Sequence, residues 1–138
     1  MNNPYARPVK LAKRGLDELR EAIAAQGELL ARLDARDAAL VAARGVERNR
    51  AAGDLQLPPT GWFERTDRER AGIAFARRGV ERALSDLREQ ARERLGSLAA
   101  LEAAAGRWAR EQRRNQERRA AAAADDRAAV QFLAGMAA

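Results

Sequence analysis

Apolar residues recur along this chain at alternating steps of three and four, the repeat that lays one stripe along a helix face. From Val9 the steps fall on Val9, Ala12, Leu16, Leu19, Ile23, Gln26, Leu30, Leu33, Asp37 and Leu40, of which eight in ten are apolar. A second series falls on Ile73, Arg77, Val80, Leu84, Leu87, Ala91, Arg94, Leu98, Leu101, Ala105 and Trp108, with nine of eleven apolar. A 3.5-residue period kept up over so many heptads is the seam of a left-handed coiled coil.

Prolines punctuate the two series. Pro4 and Pro8 keep the opening residues out of a helix interior, although Pro8 suits a first-turn position. Pro58 and Pro59 lie in the stretch Gly53-Asp-Leu-Gln-Leu-Pro-Pro-Thr-Gly61, which reads as a loop. Thr66-Asp67-Arg68-Glu69 has the form of a capping box, in which hydroxyl and carboxylate satisfy helix-start amides reciprocally. The pattern therefore predicts a single coiled-coil domain over 1–138, with helix one over about 9–52, a loop over 53–66 and helix two over about 67–133.

A short loop between two long amphipathic helices makes them antiparallel. The expected fold is all-α, a long antiparallel two-helix coiled-coil hairpin with the second helix overshooting the first. Aligning both stripes so that they finish together sets Leu40 opposite Arg77, Leu33 opposite Leu84, Leu16 opposite Leu101 and Val9 opposite Trp108. The polar exceptions then become neighbours, Asp37 one layer from Arg77 and Gln26 one layer from Arg94, as polar seam residues that fix register. Snorkelling of the long arginines out of the seam is the competing account. Trp62 and Phe63 are expected to close the loop end against Leu55 and Leu57. Seven glycines inside the predicted helices, among them Gly15, Gly27 and Gly79, each cost up to about 1 kcal/mol against alanine, so the hairpin is expected to be modestly stable.

Composition narrows the chemistry. The chain has no cysteine and no histidine, which removes disulfides, thiol nucleophiles, zinc-finger ligand sets and the commonest proton-transfer side chain. No phosphate-binding glycine loop and no metal-ligand cluster occurs, and Ser85 and Ser97 have no histidine to activate them. A non-enzymatic protein with no cofactor and no metal is expected. No apolar run reaches the roughly 18 to 20 residues of a membrane span, and MNNPYARPVK lacks the apolar stretch of a secretory signal, so the expected location is the cytoplasm.

Charged residues make up 33% of the chain, and the formal net charge is +6 from 24 arginines and two lysines against 20 acids. That balance has two readings, an acidic or nucleic-acid partner, or the arginine bias of GC-rich coding. The distribution is more informative than the total. Beyond Trp108 the stepped positions are Gln112, Asn115, Arg119, Ala122 and Asp126, which form no apolar stripe, yet Ala120 to Ala124 strongly favours helix. This overshooting segment carries Arg107, Arg110, Arg113, Arg114, Arg118 and Arg119 against Glu111 and Glu117, and ends in Val130, Phe132, Leu133 and Met136. Together these ten residues are the candidate partner-binding surface, a basic arm followed by an apolar hook. Nucleic-acid binding is a weaker reading, since acidic residues interrupt the arginines and no stacking aromatics are interleaved with them.

The tail Arg107-Trp-Ala-Arg-Glu-Gln-Arg-Arg-Asn-Gln-Glu-Arg-Arg119, followed by Asp125-Asp126-Arg127-Ala128-Ala129, is similar to the charged tail of the flagellar FliJ proteins. The order of a short start, a first coiled-coil helix, an interrupting loop and a longer second helix also resembles FliJ and the related YscO stalk proteins of injectisomes. The similarity is one of architecture and texture over nearly the whole length. The loop Pro58-Pro59-Thr60-Gly61-Trp62-Phe63 and the high alanine and glycine content depart from it. The resemblance implies a component of the type III protein export apparatus, peripheral to the inner membrane through its partners. Those partners would be the export ATPase hexamer, the cytoplasmic domain of the export gate and substrate chaperones. Outside that resemblance, a coiled-coil adaptor of another pathway fits the same pattern.

Overall fold

The computed structural model describes residues 2–54 and 60–137. They form two helices, α1 (Ala6–Asp54) and α2 (Thr60–Ala137), with no strand among the described residues. The two helices pack against each other as a hairpin. By contacts the chain divides into two compact units, Gly15–Arg94 and a second made of Met1–Arg14 with Leu95–Ala138.

In the unit Gly15–Arg94 the buried apolar side chains are Leu16, Leu19, Ile73, Val80 and Leu84, all of them stepped positions of the two stripes. Ile23, Leu30, Leu33, Leu40 and Leu87 are half-buried beside them. A two-helix contact has one seam and no second layer, so each seam side chain keeps one flank toward water.

Ion pairs between the helices show the register. Arg77 Nε lies 3.0 Å from Asp34 Oδ1, Arg70 Nε donates to Asp37 Oδ1 at 2.8 Å, and Arg36 Nε donates to Glu69 Oε1 at 2.9 Å. Arg44 pairs with Asp67. Rising numbers on α1 meet falling numbers on α2, so the helices are antiparallel. The register differs from the sequence alignment by about one heptad. Asp34 rather than Leu40 faces Arg77, and the partner of Asp37 is Arg70. Arg77 still contributes to the field at Asp37, though as a secondary charge. At Gly15 a side-chain carbon would run into the guanidinium end of Arg94, so the missing Cβ makes room for that arginine.

The Arg70 hydrogen bond, helped by the charges of Arg70 and Arg77, holds the Asp37 carboxyl below its ordinary value of 3.8, with partial desolvation opposing it. A carboxyl whose folded pKa is depressed contributes stability above the ordinary value and loses it as pH falls through the folded value. The urea midpoint is therefore expected to drop below pH 3.8, and Asp37→Asn should be less stable at neutral pH and less acid-sensitive. Parallel midpoint-against-pH curves for the two proteins would contradict the pairing.

The start of α2 corrects the sequence reading. Residues 60–66, expected in the loop, are helical, and Thr66 is the most buried polar residue of the unit at 4% exposure. Its Oγ1 donates to the Trp62 carbonyl at 2.8 Å, one turn back in the same helix. A threonine in a helix interior satisfies its hydroxyl this way, whereas an N-cap would accept from an amide ahead. Trp62 and Phe63 thus sit in the first turns of α2, edge-to-face at 5.1 Å, with the Arg44 guanidinium 5.5 Å from the Phe63 ring. Leu55 and Leu57, their expected partners, lie outside the described residues.

At the other unit, α1 begins at Ala6, earlier than expected, and Pro8 falls in its first turn, where a backbone N–H has no carbonyl to serve. The Asn3 side chain accepts from the Tyr5 amide at 2.9 Å, and the Ala6 amide donates to the Asn3 carbonyl at 3.1 Å, which turns the chain into the helix.

Candidate protein-interaction surface

Within the unit formed by Met1–Arg14 and Leu95–Ala138, the Asn3 side-chain Nδ2 donates to the Ala105 carbonyl of α2 at 3.1 Å. Lys13 and Glu102 approach to 3.8 Å. Val9, Ala12, Leu98, Leu101 and Trp108 are half-buried, so the seam persists here as far as Trp108. Gln112 is the last partly covered residue described. From 113 to 137 every described residue is exposed, a stretch of 25 residues and roughly 37 Å at 1.5 Å per residue.

The arginine arm begins before that exposed stretch and runs into it. Arg107, Arg110, Arg113, Arg114, Arg118 and Arg119 are all exposed, and no ion pair among the described residues engages any of them. With Glu111 and Glu117 as the acids of 107–119, the arm presents a local excess of positive charge to water. At 100° per residue Arg107, Arg110, Arg113, Arg114 and Arg118 share a broad side of the helix about 140° wide, and Arg119 lies about 100° beyond it. A side with this excess of positive charge is complementary to an acidic surface.

The apolar residues at the end of α2 are better focused. Val130, Phe132, Leu133 and Met136 are 65–71% exposed. The helix runs through Ala137 instead of ending near 133, so these side chains are held on a regular helix. At 100° per residue, Phe132, Leu133 and Met136 fall within an arc of about 100°, with Val130 about 60° outside it. Large exposed apolar side chains grouped this way form a candidate interaction surface. All ten sequence-predicted residues are exposed on α2, eight of them within 113–137 and Arg107 and Arg110 just before it.

Sequence reading missed Phe75, which is 70% exposed in the unit Gly15–Arg94 with the Arg78 guanidinium 6.0 Å from its ring. Gly72 and Gly79, one turn to either side on the same helix face, have open space around them. The signal was present, since Phe75 is a large apolar residue off the stepped positions. Its exposure follows directly from that offset.

No helix of the described residues is long and apolar enough to cross a membrane. Fold and surface together define an all-α helical hairpin whose second helix carries an unpartnered, basic-then-apolar stretch. The chain matches no protein-family model, no curated protein and no solved structure.

Proposed function

We propose that this chain is a non-enzymatic coiled-coil stalk of the type III protein export apparatus, of the flagellar FliJ class. It acts in the cytoplasm and binds the export ATPase ring and the export gate. The observation that carries this reading is the 25-residue exposed stretch of α2 at 113–137, basic first and apolar at its end. The hairpin supplies stiffness, and the uncovered helix supplies a surface that a ring lumen lined with acids can hold. The mechanism is mechanical: an asymmetric helix pair bound inside a ring contacts successive subunits differently and biases their conformations.

The test is co-purification with a purified export ATPase hexamer, and separately with the cytoplasmic domain of an export gate, at low salt. Wild-type chain is expected to bind the ATPase, and the joint change of Arg113, Arg114, Arg118 and Arg119 to glutamate to weaken binding about tenfold or more, since several charge contacts reverse sign together. Rising salt should weaken the wild-type complex as well. No association with the ATPase at low salt would exclude the stalk and leave an adaptor of another pathway.

A further inference from the structure

The stepping that defines the seam does not stop at Trp108. Carried on through the exposed stretch, it passes Gln112, Asn115, Arg119, Ala122 and Asp126, and then lands on Ala129, Leu133 and Met136. The repeat returns in phase after its polar interval, on a helix that nothing among the described residues covers. A stripe that keeps its phase is built to meet another helix.

The charges say which helix. The arm holds a basic pair, Arg118-Arg119, and seven residues on an acidic pair, Asp125-Asp126, separated by five alanines. None of these four charges enters an ion pair among the described residues. We infer that the exposed stretch of α2 pairs antiparallel with the same stretch of a second copy of this chain, with the two-fold axis passing through the alanine run. This inference rests on the charge pattern and not on the export reading, and it places a second copy on the surface that the ATPase would also use.

In that arrangement each copy's basic pair lies against the other copy's acidic pair. Arg118 and Asp125 occupy the flanking positions that face each other in an antiparallel coiled coil, and two-fold symmetry repeats the contact. Asp126 comes to the other copy's Asn115 layer, and Leu133 covers the other copy's half-exposed Trp108. Near the axis the side chains are alanines, so the helices can approach closely over the polar interval. A parallel pair would set Arg118-Arg119 against itself and Asp125-Asp126 against itself. Like charges across a seam are unfavourable, so orientation is chosen by charge.

Sedimentation equilibrium of the full chain tests this, with circular dichroism to check that every variant remains helical. The wild-type chain is expected to form dimers at low salt that weaken as salt rises. The double variant Asp125→Arg with Asp126→Arg, and separately Arg118→Asp with Arg119→Asp, should each raise the dimer Kd about tenfold or more, because matched charges become like charges at both symmetric contacts. An equimolar mixture of the two variants should restore association as a mixed dimer, which a folding defect would not permit. A wild-type chain that stays monomeric at low salt overturns the proposal. So do swapped variants that dimerise like wild type, as a parallel pair would, and a mixture that stays monomeric.

Discussion

Replacing Leu84 with alanine is expected to lower the unfolding free energy of the hairpin by about 2 to 4 kcal/mol, the range for truncating a buried leucine. Leu84 is 5% exposed and is one of the few side chains this seam buries. The cost should not reach the top of the known range, because two helices with one interface can close partly over a lost methyl group. Even so, the loss is large for a molecule whose other seam residues are mostly half-buried. Val46→Ala is the matched control, since Val46 is 66% exposed and alanine is the better helix former. It should leave the urea midpoint unchanged or slightly higher. Equal shifts for the two variants, read by far-UV circular dichroism, would mean that Leu84 does not carry the core.

The second large effect is on binding and not on stability. Removing residues 120–138 deletes the apolar end of α2 together with the acidic pair, yet every described residue in that span is exposed. The hairpin should keep its helicity per residue and its urea midpoint at concentrations where no self-association occurs. Affinity for the export ATPase should fall about thirtyfold or more, which corresponds to ~2 kcal/mol, the scale of losing an anchoring apolar cluster. Binding that survives the truncation unchanged would remove Val130, Phe132, Leu133 and Met136 from the interface. The arginines of 107–119 would then have to carry the contact alone.

These two experiments separate what the two parts of α2 are built for. In the unit Gly15–Arg94 the large apolar residues at stepped positions turn inward, and Phe75, off the stepping, is left in water. In 113–137 the same stepping meets polar residues and then apolar ones with nothing over them. The arm was legible because composition changed while helix propensity did not. A run of five alanines keeps the backbone helical where the seam has lost its apolar partners. α2 reaches Ala137, past the end expected near 133. The helix continues through Gly135.

The membership of the seam was decided by the sequence alone. Leu16, Leu19, Ile73, Val80 and Leu84 turn inward because a 3.5-residue repeat has one face, and which residues lie on it follows from counting. The pairing of one seam with the other was left to tertiary structure. A heptad repeat maps onto itself when it slides by seven residues, so apolar contacts barely distinguish neighbouring registers. The observed alignment is the one that pairs Asp34 with Arg77, Asp37 with Arg70 and Arg44 with Asp67. Where α2 begins was settled the same way. Thr66 and Glu69 suit a capping box in isolation, but burial of Thr66 inside the hairpin favours a hydroxyl bonded backward to Trp62 and a helix already under way.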